Sequence, residues 1–378
     1  MHIPFEASER SSLGVEVELQ IVDRRTRELA SAATDILAEL GAGHPGGEHP
    51  KAKHELFECT IEIITGICAT VAEARADLGA TLEEVAASAA RRGLALLCSG
   101  THPFSDWHDQ QISPDPRYAR LVEQMQWLAR RMVIFGVHFH VGVRSAEKAI
   151  AIANALTAYI PHFLALSASS PFWGGRDTGL ASSRSKVFEN LPTAGLPYRM
   201  GDWAEFEQFM ETLVNAQAIT SIREVWWDIR PHPDFGTVEL RICDGIPTLR
   251  EVAGLAALAQ SLVEWLDTLL DRGDTLPMPR EWVIRVNKWR AARYGIGAEI
   301  IGDDQGTRVL LARAVRELVE ELSPVASRLG CLDELTSNLE VLDLGPSYLR
   351  QRRVIEAGGG PVDIVDSMIE EMETDRPG

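Results

Sequence analysis

The chain has 378 residues, 45% of them apolar and 24% charged, with 55 acidic against 37 basic residues and a formal net charge of −18. This length and apolar content suffice for a sizeable core and exclude a disordered chain, a collagen-like chain and a multi-span membrane protein. The acidic excess repels phosphate backbones and so argues against nucleic acid as a partner; it suits plain solubility or a cluster of carboxylates that hold metal. Cys59, Cys68, Cys98, Cys243 and Cys331 are odd in number and include no CxxC pair. Neither a disulfide framework nor a structural zinc site is therefore expected, and a reducing, cytoplasmic setting fits. The opening residues Met1 to Glu6 show no basic region followed by an apolar core, so no signal peptide is expected.

In chain order, Leu13–Asp23 alternates with period two. Leu13, Val15, Val17, Leu19 and Ile21 share one side of a predicted strand, and Glu16, Glu18 and Gln20 share the other. Gly41 to Gly46 matches the glycine spacing of dinucleotide-binding loops. It follows a helical segment, and Pro45 interrupts what comes next, so a helix end and loop are expected. Glu58–Thr65 alternates again, with Glu58, Thr60 and Glu62 against Cys59, Ile61 and Ile63. Val71–Arg92 carries the apolar stripe of a helix. Asp115 and Pro116 open another helix, as N-cap and first-turn proline, with a stripe running from Tyr118 to Met132.

Val133–Val143 places Val133, Phe135, Val137, Phe139 and Val141 opposite His138 and His140. Ala149–Gly175 carries no charge, which raises the question of a membrane span; its small residues, Asn154, Pro161 and His162 point to a buried helix and its exit loop, with no membrane partner. Asp202 with Glu205, and Thr248 with Glu251, read as capping boxes. Between them, Val225–Arg230 should put Trp226, Asp228 and Arg230 on one face. Thr237–Cys243 should set Thr237, Glu239 and Arg241 against Val238, Leu240 and Ile242. From Leu249 on the chain reads as almost wholly helical, with Glu370–Gly378 frayed. The order predicts an α+β fold forming one catalytic domain over residues 1–378: an antiparallel sheet with one face covered by helices.

The other face is where chemistry is expected. It would present Glu16, Glu18, Glu62, Glu58 or its neighbour Glu55, His138, His140, Glu239 and Arg241. Like charges on one face of a strand repel unless something neutralises them. A divalent cation does so, and hard oxygen ligands with little sulfur favour magnesium or manganese. Arg184, Arg223, Arg230 and Arg241 supply guanidinium groups, which pair with phosphate; metal plus arginine is the electrostatic recipe for phosphoryl transfer. No GxxxxGK[ST] loop occurs, so ATP would be held by metals, arginines and sheet residues. Two other readings stay open on the residues alone: a metal-dependent hydrolase built on the His138–His140 strand, and a non-catalytic nucleotide-binding protein that keeps the fold.

The segments Ser12–Glu18, Glu55–Glu62, Gly136–Gly142, Ser169–Gly179 and Thr237–Arg241 resemble, in this order, the bacterial carboxylate–amine ligases, also called glutamate–cysteine ligase type 2. The resemblance implies a glutamine synthetase-like catalytic fold, a curved antiparallel sheet with a metal-lined face. It implies an ATP-dependent ligase that joins the γ-carboxylate of glutamate to cysteine or another amine through an acyl phosphate. Carried over by position, it implies Glu16, Glu18, Glu55, Glu62, His138 and Glu239 as ligands of magnesium or manganese. It puts Arg241, Glu239 and Arg184 at the catalytic centre, and His140, Arg241, Arg223 and Arg230 beside the nucleotide. It selects Glu55, where strand parity selects Glu58. Small-molecule carboxylate and amine substrates and a homodimer are expected, with the Gly174–Ser185 loop as a wall of the substrate site.

Overall fold

The computed structural model describes residues 2–378. The first half runs β1 (Leu13–Asp23), α1 (Ala33–Gly41), β2 (Ala52–His54), β3 (Thr60–Ile64), α2 (Val71–Arg91), β4 (Leu94–Leu97), α3 (Pro116–Met125), α4 (Trp127–Arg130), β5 (Val137–Gly142), α5 (Ala146–Leu156) and α6 (Ile160–Ser167). A small hairpin, β6 (Phe172–Trp173) and β7 (Arg176–Asp177), leads to α7 (Arg184–Phe188), α8 (Trp203–Asn215), β8 (Ile229–His232) and β9 (Thr237–Leu240). The rest comprises α9 (Leu249–Arg272), α10 (Glu281–Tyr294), β10 (Glu299–Ile301), β11 (Arg308–Leu310), α11 (Leu311–Leu329), α12 (Leu332–Leu344), α13 (Ser347–Glu356) and α14 (Pro361–Thr374).

An open antiparallel sheet of seven strands organises these elements, in the order β2-β3-β1-β5-β9-β8, with β4 pairing the last residues of β1. Leu13, Val15, Val17, Leu19 and Ile21 of β1 turn to one face together with Ile61, Ile63, Val137, Phe139, Val141, Val238 and Leu240, all buried. Each such side chain removed from water contributes about 1.5–3 kcal/mol. Helices α2, α5 and α9 cover this face. Helix α9 is buried over most of its 24 residues because α2, α5, α11 and α12 enclose it. The uncharged segment of the sequence lies in the same core. Ala146–Ser167 is long and apolar enough to cross a membrane, yet 78% of its most apolar window is buried inside the protein.

Several elements depart from the sequence pattern. Strand β5 begins only at Val137, and β9 stops at Leu240, where the Arg241 N–H turns back to the Asp228 carbonyl. Val225–Asp228 lies outside the strand, which starts at Ile229. The helix after Pro116 breaks at Gln126, whose φ of 49° no helix accommodates, so its stripe is divided between α3 and α4. The helical third is interrupted by the β10–β11 hairpin. The tail is ordered: α14 runs to Thr374, and Glu371 is buried against Arg350. Thr248 caps α9, but the Glu251 carboxylate turns to Arg350 instead of closing the box. The glycine-rich loop follows the end of α1, as expected; a Cβ at Gly41 would lie 2.1 Å from the Gly47 carbonyl oxygen, so only glycine fits there.

Candidate active site

The register of the sheet assembles the opposite face. It sets Glu18 across from Glu62, Glu16 across from His138, His140 across from Glu239, and Glu239 across from Arg230. Directly opposed side chains stand about 4.5–5.5 Å apart, so β3, β1, β5 and β9 together present a band of acids and imidazoles. Glu55 joins it from the β2–β3 connection. The band lines a cavity of about 420 Å³ that is also lined by Tyr118 and Leu121 of α3, Met132, Trp226 and Phe235.

Ligand atoms fall into three sets: Glu18 with Glu55 and Glu62, Glu16 with Glu62 and His138, and Glu16 with His140 and Glu239. Within each set all atoms lie within 4.8 Å of one another. Glu62 and Glu16 each belong to two sets, so the three positions form a row. Glu58 takes no part: its carboxylate accepts the Thr34 N–H at 3.2 Å and the Thr34 hydroxyl at 2.7 Å. Strand parity selects Glu58 wrongly because β3 starts at Thr60, and alternation does not extend to the residues before it.

The row is electrostatically uneven. Burial pushes Glu62 well above the ordinary carboxylate range, and the charges of Glu16, Glu55 and Glu18 push it further. Glu18 is raised to about 7 by burial and by Glu55, against Arg184 and the Gly136 N–H. Burial raises Glu55 as well. At the other end burial also pushes Glu16 upward, but His140 and His138 outweigh it and hold Glu16 well below its ordinary value. Glu239 is low for a like reason: Arg230, Arg241 and His140 overcome its burial. His138 is lowered to about 4 by burial and by Arg241. His140 is raised, because Glu239 and Glu16 overcome its burial.

Five buried nitrogens of cavity-lining side chains have no hydrogen bond: His54 Nδ1, His140 Nε2, Arg184 Nε, His232 Nδ1 and Arg241 Nε. His140 donates or accepts at Nδ1 with the Thr237 hydroxyl, 3.1 Å away, while its Nε2 has no hydrogen bond. Arg241 Nε has none either. Leaving such groups unpaired costs about 1–3 kcal/mol each. Crowded carboxylates, a half-served imidazole and a donor set of oxygen and imidazole fit hard divalent cations, which these residues could hold.

The arginines divide by role. Arg230 is a brace: Nε and Nη2 engage Glu239 Oε2 at 2.7 and 2.6 Å, and Nη1 donates to the carbonyls of Ile222 and Val225 at 2.9 Å. Four of its five N–H donors are thus taken up inside the protein, which leaves one for a nucleotide. Arg241 also grips Glu239. Arg184 passes over Gly136, where an added Cβ would lie 2.2 Å from Nη2, and its Nη atoms reach the Arg241 and Ile242 carbonyls only at 3.3–3.4 Å. Arg223 stands exposed on the rim. Of residues 174–185, Arg184 alone lines the cavity, so this loop contributes one side chain to the site and not a wall. Asp228 leaves Trp226 and Arg230 for Lys288, at 2.6 Å, because Val225–Asp228 is not a strand. Three cations, Lys53, Arg117 and Arg120, and the parallel stack of His232 on Phe235 (4.2 Å, 7°) also line the cavity and were not singled out from sequence. The Asp115–Pro116 helix start was a usable signal for Arg117 and Arg120.

Residues 12–368 match the model of Glutamate-cysteine ligase family 2. The chain belongs to this family. The ligase is 59% identical over 378 residues to a protein of Frankia casuarinae named after glutamate–cysteine ligase 2-1, covering 100% of this chain and 99% of that one. It is 54% identical over 377 residues to a protein of Thermobifida fusca named after glutamate–cysteine ligase 2, covering 100% and 94%. Its fold is similar to the crystal structure of glutamate–cysteine ligase from Francisella tularensis in complex with AMP, with a TM-score of 0.71 at 13% identity, covering 99% and 91% of the two chains. It is also similar to a bifunctional glutathione synthetase from Pasteurella multocida, with a TM-score of 0.67 at 14% identity, covering 97% and 52%. The protein is an ATP-dependent carboxylate–amine ligase.

Proposed function

We propose that the ligase joins the γ-carboxylate of glutamate to the amino group of cysteine or a similar amine, with magnesium or manganese, and releases ADP and phosphate. The observation that carries this reading is the row of three ligand sets along one wall of a single cavity. A carboxylate anion is a poor electrophile. Transfer of a phosphoryl group to it gives an acyl phosphate, whose carbonyl an amine can attack. Divalent cations, when bound, neutralise phosphate oxygens and offset the repulsion among the acids.

The chain's own residues do the rest. Glu16, Glu18, Glu55, Glu62, His138 and Glu239 hold the ions. Arg241, fixed through Glu239, faces the phosphates, with His140 nearby. Arg184 offsets negative charge beside Glu18. Trp226, His232 and Phe235 offer aromatic faces to a nucleobase. Lys53, Arg117 and Arg120 form no ion pair among the described residues and suit the carboxylates of amino-acid substrates. A homodimer working in the cytosol is proposed on family likeness alone.

The test gives purified protein ATP, magnesium, glutamate and cysteine, and reads ADP release and product mass. ADP release should require all four, and the product should have the mass of a γ-glutamyl amide. Release with a different amine would move the amine assignment. No release across a panel of carboxylates and amines would overturn the reading.

A further inference from the structure

We propose that Asp244 is a positioning residue that sets Arg184 in the cavity through a relay of serines. This rests on the reading of Arg184 as a charge of the reaction site. Asp244 lies three residues beyond Arg241 and is fully buried. Among the described residues it forms no salt bridge; hydroxyl and amide donors satisfy its carboxylate. Oδ2 accepts the Ser170 hydroxyl at 2.6 Å and the Ser169 N–H at 3.1 Å, and Oδ1 accepts the Ser182 hydroxyl at 2.8 Å.

The same hydroxyl oxygens then accept from the backbone that starts α7. Ser170 Oγ takes the N–H of Arg184 at 3.1 Å, and Ser182 Oγ takes the N–H of Ser185 at 3.3 Å. One carboxylate therefore fixes both sides of the Ser170–Ser182 bridge and the first turn of the helix that carries Arg184. The Arg184 side chain leaves that turn, crosses Gly136 and returns to the Arg241 and Ile242 carbonyls. Arg184 and Arg241 are thus spaced from both ends.

The packing leaves no slack. A Cβ on Gly100 would come within 2.6 Å of the Asp244 carboxylate, and one on Gly245 within 2.7 Å of Cys98 Sγ. A buried carboxylate with no ion-paired cation is unfavourable unless donors surround it, and the nearby Arg184 charge also opposes the cost of burying Asp244. Here it stands where the segment bearing Arg241 meets the segment bearing Arg184. Small errors in such spacing matter, since misplacing a group by about 1 Å can cost about 100-fold in rate.

The experiment measures amine-dependent ADP release by the full-length protein in four forms: wild type, Asp244→Asn, Arg184→Ala and the double variant. Asp244→Asn is expected to lower kcat by about 10- to 100-fold, with KM for ATP little changed. With Arg184 already alanine, the same change should cost less than about threefold. An equal loss in both backgrounds overturns the relay. Wild-type turnover in Arg184→Ala overturns it too and removes Arg184 from the reaction. The ligase reading fails separately, when wild type itself releases no ADP. Should Asp244→Asn not fold, Ser170→Ala and Ser182→Ala carry the test in the same two backgrounds, with smaller losses expected only where Arg184 is present.

Discussion

Two clusters of buried carboxylates and arginine lie in this protein, and they are completed differently. On α13, Arg350 engages Glu371 of α14 at 2.8 and 2.9 Å and Glu251 of α9 at 2.9 and 3.1 Å, and donates to the Gly345 carbonyl at 2.9 Å. These bonds use all the N–H donors a guanidinium has. The band of acids and imidazoles along the cavity is left open. Glu18, Glu55 and Glu62 crowd one another, His140 Nε2 and Arg241 Nε make no hydrogen bond, and a cavity adjoins them. Burial of charge alone therefore does not mark a functional site. Crowded like charges that face an open cavity do, because something from outside the chain can reach and neutralise them.

This contrast can be broken by experiment. The largest effect should come from Glu239→Gln, which removes a charge from the open cluster. ADP release should fall by roughly 1,000-fold or more with the native circular dichroism retained, although unfolding shifts to lower denaturant because Arg230 and Arg241 lose the charge of their buried partner. Near-normal turnover would take Glu239 out of the metal site. Arg350→Ala should do the reverse in kind. It strands two buried carboxylates and should reduce unfolding free energy by about 3–5 kcal/mol in denaturant titrations. A change below about 1 kcal/mol would show that the closed cluster contributes little.

The third effect concerns pH. Glu18 is raised from 4.5 to about 7 in the folded chain without metal. The folded state then holds a proton that the unfolded state gives up between these values, so this group's contribution to stability falls as pH rises through that window. The change is on the order of 3 kcal/mol. The stability difference between wild type and Glu18→Gln, measured in chelator from pH 4.5 to 7, isolates it; a difference favouring wild type as pH rises would contradict the uncompensated site. Magnesium should flatten the curve. The smallest effect sharpens the site itself: Phe235→Ala should raise KM for ATP about 10-fold and leave KM for the carboxylate substrate unchanged.

Much of the band was legible because period-two alternation maps directly onto strand faces. Glu16, Glu18, Glu62, His138, His140 and Glu239 follow from it, whereas Glu55 came from family likeness, since it sits outside any strand. What sequence hid has physical reasons. Val225–Asp228 alternates like a strand but pairs only through an isolated bridge to Gly195, outside the main sheet. Nothing local announces the backbone break at Gln126. The tail looked too polar to order until Glu371 is seen to meet Arg350, twenty-one positions away. Asp244 and its serines lie 62–75 positions apart, and hydrogen bonds across such distances leave no periodic trace.

Strand β1 has one more consequence. Its alternate residues belong to the greasy interior and to the acidic cavity wall, so a single-residue slip in pairing would exchange the two. Glutamates would then enter the core while valines faced the ligands. In this protein a chain that has misthreaded its central strand cannot survive as a folded but idle copy; quality control over folding is also quality control over catalysis.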